Sequence, residues 1–243
     1  MQEELGIFSQ GKIILIDKPL TWSSFDVVNK IRYAIKKYEQ KKKIKVGHAG
    51  TLDPLASGLL ILCSGKMTKQ IEQFQGQEKE YIAQITFGFT TASYDLETEL
   101  ENPKDISNLT LPQIEIALKD FLGEIDQIPP IFSAVQVNGK RAYQSAREGE
   151  KIELKSRKIT ISELEILDSD ISEKKADKMT ISLRIICSKG TYIRSLAHDL
   201  GQKLKTGAHL SGLRRTKIGE FKIEDAQTIE EFLEKWKPIE KLS

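Results

Sequence analysis

Apolar residues recur along this chain with two different spacings. Lys12 to Asp17 holds Ile13, Ile14, Leu15 and Ile16 in a short run that reads as a buried strand. Tyr81 to Phe87 alternates with the two-residue period of a half-buried strand, and Ile159 to Leu167 and Met179 to Ile186 read as longer ones. Elsewhere the spacing is helical. Val28, Ile31, Ile35 and Tyr38 form one stripe, with Ser23 or Ser24 as its N-cap. Ile114, Ala117, Leu118 and Phe121 share one side of Leu111 to Leu122, a helix expected to end at Gly123 as its C-cap residue. Ile193, Leu196, Ala197 and Leu200 face inward from Thr191 to Leu204, Met67 to Phe74 reads as a helix, and Thr228 to Trp236 as a capping helix. Ile44 to Val46 is a short strand. Leu59 to Cys63 is too short and too apolar for its period to decide between helix and strand. Ser133 to Val137 followed by Asn138-Gly139 carries the sharpest hairpin signal, and the charged link Asp168 to Lys178 reads as a surface loop.

Strands and helices mix without a regular βαβ rhythm. That predicts an α+β fold around a mixed, largely antiparallel central sheet flanked by helices and loops. There is no internal repeat, low-complexity tract or Gly/Ser linker, so one domain over 1–243 is expected. A chain of 243 residues can bury a sizeable core. No apolar run approaches the ~20 residues that span a bilayer. The N-terminal MQEELGIFSQ has acidic residues and no signal-peptide core, so a cytoplasmic protein is expected, with no membrane partner. Cys63 and Cys187 each lie in an apolar-rich segment and read as buried free thiols, a disulfide being the alternative. Three isolated histidines and two distant cysteines make no metal-ligand spacing.

A net charge of +2 does not mark the chain as a nucleic-acid binder, so the local distribution matters more. Residues 36–45 (KKYEQKKKIK) carry six lysines and one glutamate. Arg214, Arg215 and Lys217 form a second group, and Lys151, Lys155, Arg157 and Lys158 a third. Such runs suit phosphate contacts, and they equally suit a solvated face.

The most chemically suggestive stretch is Gly47-His48-Ala49-Gly50-Thr51-Leu52-Asp53-Pro54-Leu55-Ala56-Ser57-Gly58. It sets one carboxylate, Asp53, among three glycines and a proline, between apolar flanks. Glycine permits positive φ and close backbone approach, and Pro54 fixes the chain just after the acid. A carboxylate held on a rigid loop suits nucleophilic or general-base work, although an Asp-Pro turn alone would look similar.

This segment resembles the G-H-x-G-x-L-D-P-x-A-x-G motif around the catalytic aspartate of the TruB-type tRNA pseudouridine synthases. Three further blocks resemble that family in the same order. Lys12 to Pro19 with Trp22-Ser23-Ser24 is similar to its N-terminal strand and Lys-Pro turn. Pro129 to Ala134, continuing through Asn138 to Tyr143 and Ala146 to Gly149, is similar to its RNA-gripping insertion, placed here at 129–150. Cys187 to Arg194, running into Asp199-Leu200-Gly201 and Gly207-Ala208-His209, is similar to its Tyr/Arg motif. Together the blocks cover most of residues 11–220.

The resemblance implies a pseudouridine-synthase fold and isomerisation of uridine 55 in the TΨC loop of tRNA. In that reaction the N1 glycosidic bond breaks, the base rotates, and C5 takes its place. No cofactor and no metal are implied. The target base must first leave its stack. Asp53 is then the catalytic carboxylate; whether it attacks C1′, adds to the uracil ring or takes a ribose proton stays open. Tyr81 corresponds to the tyrosine that stacks on the flipped base and assists removal of the C5 proton. Arg194 corresponds to the arginine partner of Asp53. His48, Tyr192 and Leu213 correspond to substrate-binding residues, and Lys18-Pro19 to a supporting turn. Many relatives continue into a C-terminal PUA-type domain; 221–243 is expected to be a tail too short for a complete one. The implied partner is the tRNA T-arm stem-loop, without a guide RNA and without an obligate protein partner, the chain acting as a monomer.

Three other readings stand beside this one. A guide-RNA-dependent relative would share the Asp and Tyr/Arg motifs but lack the 129–150 grip. A non-catalytic RNA-binding protein would not need Asp53 and Arg194 together. A retaining glycosidase would need a second acid about 5 Å from the first, and no matching Asp or Glu occurs in the recognised blocks.

Overall fold

The computed structural model describes residues 6–133, 135–137, 140–142, 154–169 and 177–238. The chain runs α1 (Ile7–Gln10), β1 (Ile13–Lys18), α2 (Ser24–Tyr38), β2 (Val46–His48), β3 (Ala56–Ser64), a 3-10 turn (Gly65–Gln70), α3 (Ile71–Gly76) and β4 (Lys79–Phe87). It continues through α4 (Leu111–Lys119), β5 (Gly123–Gln127), β6 (Gln136–Val137), β7 (Lys140–Arg141), β8 (Arg157–Ser169) and β9 (Met179–Cys187). Last come α5 (Ile193–Lys203), β10 (Ala208–Ile218), β11 (Phe221–Lys222), a short 3-10 turn (Ile223–Asp225) and α6 (Ile229–Lys235). The strands form a mixed, mostly antiparallel sheet with helices, as the sequence predicts. Among the described residues no helix is long and apolar enough to cross a membrane.

Contacts divide the chain into two units, Met1–Lys79 with Arg214–Ser243, and Glu80–Leu213. In the first, β3 pairs antiparallel with β1 (Ile13↔Cys63 to Lys18↔Gly58) and with β2 (Val46↔Ser64 to His48↔Leu62). Leu60 and Leu62 of β3 pack with Ile14, Ile16, Val28, Ile31, Ile35, Tyr38 and Phe232. Leu59, Ile61 and Cys63 join Ala49, Phe74 and Ile218 in a second cluster. A strand buried on both faces loses the alternation that betrays a strand, which is why Leu59 to Cys63 had no readable period. Helix α2 has the predicted stripe buried, and Ser23 caps it: the Asp26 N–H donates to Ser23 Oγ at 3.1 Å, and the Ser23 N–H to the Asp26 carboxylate at 3.0 Å.

In the second unit, β8 pairs antiparallel with β9 and with β5, and β9 buries every second residue from Met179 to Cys187. All four predicted inward residues of α5 are buried.

Several boundaries differ from expectation. Helix α4 ends at Lys119 with Asp120 as its C-cap, and Gly123, with φ +86°, opens β5 instead of closing the helix. The ladder from Gly123↔Ile161 to Gln127↔Arg157 draws this segment into a strand, overriding local helix preference. The Met67 to Phe74 helix is a 3-10 turn followed by α3. β2 begins at Val46, not Ile44. The hairpin strands pair as Gln136↔Arg141 and Val137↔Lys140. Its Asn138-Gly139 turn lies outside the described residues, as do 143–150 of the expected insertion, 170–176 of the charged link and 239–243 of the tail. Both cysteines are buried and neither is in a disulfide, as expected; burial pushes the Cys63 thiol up to about 11.

Candidate active site

In the first unit, β2 and β3 deliver the two ends of the loop that carries Asp53. Between them the chain makes no regular element, so its polar backbone groups must find partners elsewhere. Leu52 finds both in one side chain: its N–H donates to Ser24 Oγ at 2.8 Å, and that hydroxyl donates to its carbonyl at 2.9 Å. The Pro54 carbonyl accepts from the Thr21 N–H at 2.8 Å, and the Asp53 carbonyl accepts from the Ala56 N–H at 3.0 Å. Leu52 is buried, Asp53 half-buried, and Thr51 and Pro54 exposed. The carboxylate thus stands at the edge of the core on a backbone that is pinned on both sides of it.

Two buried cations underlie this loop. Lys18 ends β1 on the inward side and is fully buried; its Nζ donates to the carbonyls of Pro19 (3.0 Å) and Trp22 (2.6 Å). Burial lowers its ammonium to about 8, the nearby Asp53 charge opposes that shift, and Arg215 adds to it. The Lys-Pro turn is therefore tied into the segment that holds Leu52 and Pro54, in keeping with the supporting role expected for it. Arg215, in β10, is 1% exposed; its Nε donates to the Leu59 carbonyl at 2.8 Å and a terminal nitrogen to the Gly50 carbonyl at 3.1 Å.

His48 closes β2 opposite Leu62. Burial holds it below the usual imidazole range, opposed by a hydrogen bond with the Gly50 backbone and aided by a smaller push from Arg215, so it is neutral at pH 7. Its Nδ1 is buried without a hydrogen-bond partner among the described residues.

In the second unit, Tyr192 and Arg194 sit at the start of α5. Gln127 fixes this start as Ser24 fixes Leu52: its side-chain amide donates to the Tyr192 carbonyl at 3.0 Å and accepts from the Tyr192 N–H at 2.8 Å. Ser195 Oγ donates to the Ile128 carbonyl at 2.7 Å. The Arg157 guanidinium lies 5.1 Å from the centre of the Tyr192 ring. Arg194 is 5% exposed, donates to the carbonyls of Phe132 (3.0 Å) and Ser93 (3.4 Å), and pairs with the buried Asp95 at 3.7 Å. Asp95 also accepts from Ser93 Oγ at 2.6 Å and the Glu97 N–H at 3.0 Å. Tyr81, near the start of β4, is buried, and Leu213 of β10 is half-buried.

Of the predicted residues, the first unit holds His48 and Asp53, and the second holds Tyr81, Tyr192, Arg194 and Leu213. Sequence reasoning missed three side chains that hold these segments. Asp95 was unremarked in a polar stretch, Ser24 was read only as a cap, and Arg215 only as part of a basic group. Arg214 of that group faces Asp17 through two bonds of 2.7 and 3.1 Å. In the third group, Lys158 pairs with Glu124.

The comparisons with known proteins agree with one another. Residues 36–193 match the family described as TruB family pseudouridylate synthase (N terminal domain), and 194–241 match the tRNA pseudouridylate synthase B C-terminal domain. A tRNA pseudouridine synthase B of Phocaeicola vulgatus is 52% identical over 227 residues, covering 93% of this chain and 94% of that protein. Another, from Flavobacterium johnsoniae, is 51% identical over 228 residues, covering 93% and 96%. Among solved structures, a Cbf5-Nop10-Gar1 complex aligns with a TM-score of 0.66 at 30% identity over 93% of this chain. An H/ACA RNP bound to a substrate RNA containing 2'-deoxyuridine aligns with 0.63 at 28%. This chain spans 54% and 53% of those two chains.

Proposed function

Because this chain belongs to the TruB family of pseudouridylate synthases, we propose that it isomerises uridine 55 in the TΨC loop of tRNA to pseudouridine. The relatives named tRNA pseudouridine synthase B support tRNA as the substrate class. The observation that carries the reading is the Asp53 loop itself: a carboxylate at the surface edge of a backbone pinned by Ser24, Thr21 and Arg215. A flipped nucleotide needs such a preset acid, since near-attack geometry is worth orders of magnitude in rate.

In this mechanism the uridine leaves its stack at a cost of a few kcal/mol, and a ring face such as that of Tyr81 returns ~1–3 kcal/mol of it. Asp53 drives cleavage and re-formation of the glycosidic bond, with Arg194 as its cationic partner, and Tyr81 assists loss of the C5 proton. His48, Tyr192 and Leu213 bind the substrate nucleotide, His48 in its neutral form. The reaction is an isomerisation, so no redox equivalent or hydrolytic water enters the balance. The chain acts as a single catalytic domain, as a monomer in the cytoplasm, on the T-arm and without a guide RNA. Relatives matched along nearly their whole length favour this over the guide-dependent reading, since the chain covers only 54% of the aligned chain of the Cbf5-Nop10-Gar1 complex.

Purified protein with an unmodified T-arm stem-loop and no added guide is the test. Tritium release from C5-labelled uridine is expected, at position 55 only. Asp53→Asn is expected to bind the RNA and unfold at the parental temperature while releasing none. Release by Asp53→Asn at the parental rate would refute the assignment of the carboxylate.

A further inference from the structure

Arg215 is the bulkiest fully buried side chain among the described residues. Among those residues no ion pair answers its charge; its hydrogen-bond partners are the carbonyls of Leu59 and Gly50. Burying a lone cation is costly, and an apolar side chain of similar volume usually fills such a space with less penalty. A guanidinium retained there needs a reason that an apolar side chain cannot supply. The two carbonyls provide one, for they stand on either side of Asp53 in the sequence. The planar fork of arginine donates in fixed directions, so acceptors bound to one fork are fixed relative to each other.

The backbone on both sides of Asp53 runs close to this residue. Gly50 has φ +103°, and a Cβ added there would lie 3.6 Å from an Arg215 terminal nitrogen. Gly58 has φ +104°, and a Cβ there would meet the Arg215 backbone oxygen at 2.3 Å. The chain before Asp53 thus lies in ordinary contact with the Arg215 side chain, and the chain after it approaches the Arg215 backbone closely. A phosphate contact, the role its sequence neighbourhood suggested, is incompatible with 1% exposure.

We propose that Arg215 is a positioning residue for the reaction, clamping both ends of the Asp53 loop so that the carboxylate meets the nucleotide in one geometry. This rests on the reading of Asp53 as the catalytic acid. Arg215 touches neither the RNA nor the reacting atoms, so its loss acts on turnover and not on affinity. Lysine at this place reaches one carbonyl but not both.

The test measures single-turnover tritium release at saturating RNA, RNA affinity and melting temperature for Arg215→Met, Arg215→Lys and the core control Ile35→Val. Arg215→Met is expected to slow turnover by about 10²-fold, the scale of a misplaced reacting group, with RNA affinity unchanged. Arg215→Lys is expected to fall between it and the parent, and Ile35→Val to lose melting temperature but not rate. Parental turnover in Arg215→Met overturns the proposal. So does a rate and affinity that fall together, or an equal rate loss in Ile35→Val. Should Arg215→Met fail to fold, Arg215→Lys decides, parental turnover again overturning it. A parent chain that releases no tritium sinks the proposed function itself. A parent that releases it alongside an equally fast Arg215→Met sinks only the clamp.

Discussion

The Asp53 loop and the start of α5 are held by the same device and charged in opposite ways. In each, one side chain serves both backbone groups of a residue within two positions of a proposed catalytic residue: Ser24 for Leu52, Gln127 for Tyr192. The difference lies in the buried arginines. Arg194 has a buried carboxylate, Asp95, which is itself held by Ser93 and Glu97. Arg215 has backbone carbonyls only, among the described residues. A carboxylate orients a guanidinium and also offsets its charge, whereas carbonyls orient it and leave its field in place. The α5 start is thus built to aim a cation, and the loop to hold a shape around an anion.

The comparison breaks first at Asp95. Removing one partner of a buried pair strands the other charge, so Asp95→Ala is expected to lower unfolding free energy by ~3–5 kcal/mol. Turnover is expected to fall by about 10²-fold through loss of Arg194 alignment. Urea unfolding and tritium release measure the two. Parental stability in Asp95→Ala would mean that the carbonyls of Phe132 and Ser93 suffice for Arg194, and the two regions would then be held alike. A smaller effect is expected at Ser24. Ser24→Ala leaves a buried N–H and carbonyl of Leu52 without their partner, costing ~1–3 kcal/mol. Turnover should fall while RNA affinity stays, because Leu52 adjoins Asp53 and does not face solvent. An unchanged rate would show that Thr21 and Arg215 alone set the loop.

The sequence displayed the elements whose burial is apolar and one-sided. The α2 stripe, the α5 face and the strands at Tyr81 and Met179 all appear where periodicity puts them. β10 was not legible. Its inward positions include Arg215 and His209, buried through hydrogen bonds instead of apolar contact, so its hydropathy does not alternate. β5 was hidden for another reason: its pairing with β8 is long-range, and nothing local marks it. The loop motif carrying Asp53 was legible from its glycines and proline. Its supports were not, since Ser24, Asp95 and Arg215 act through tertiary contacts that no spacing along the chain encodes.

The smallest expected effect concerns pH and the second buried cation of the loop. Lys18 has an ammonium near 8 in the folded protein, lowered chiefly by burial, against 10.5 when free. Between those values the unfolded chain binds more protons at this site than the folded one. Its contribution to unfolding free energy therefore rises with pH across about 8 to 10.5, on the order of 1 kcal/mol per pH unit. Below that window the penalty for burying the charge is present in full and does not vary. Other lysines and tyrosines titrate in the same range, so the comparison with Lys18→Met isolates the term. The variant should show a flatter slope of urea stability against pH from 8 to 10, with the two curves parallel from 6 to 7. Equal slopes would mean that the Pro19 and Trp22 carbonyls and the Asp53 charge offset burial completely. The loop would then rest on one buried cation that carries a desolvation penalty, Arg215, instead of two.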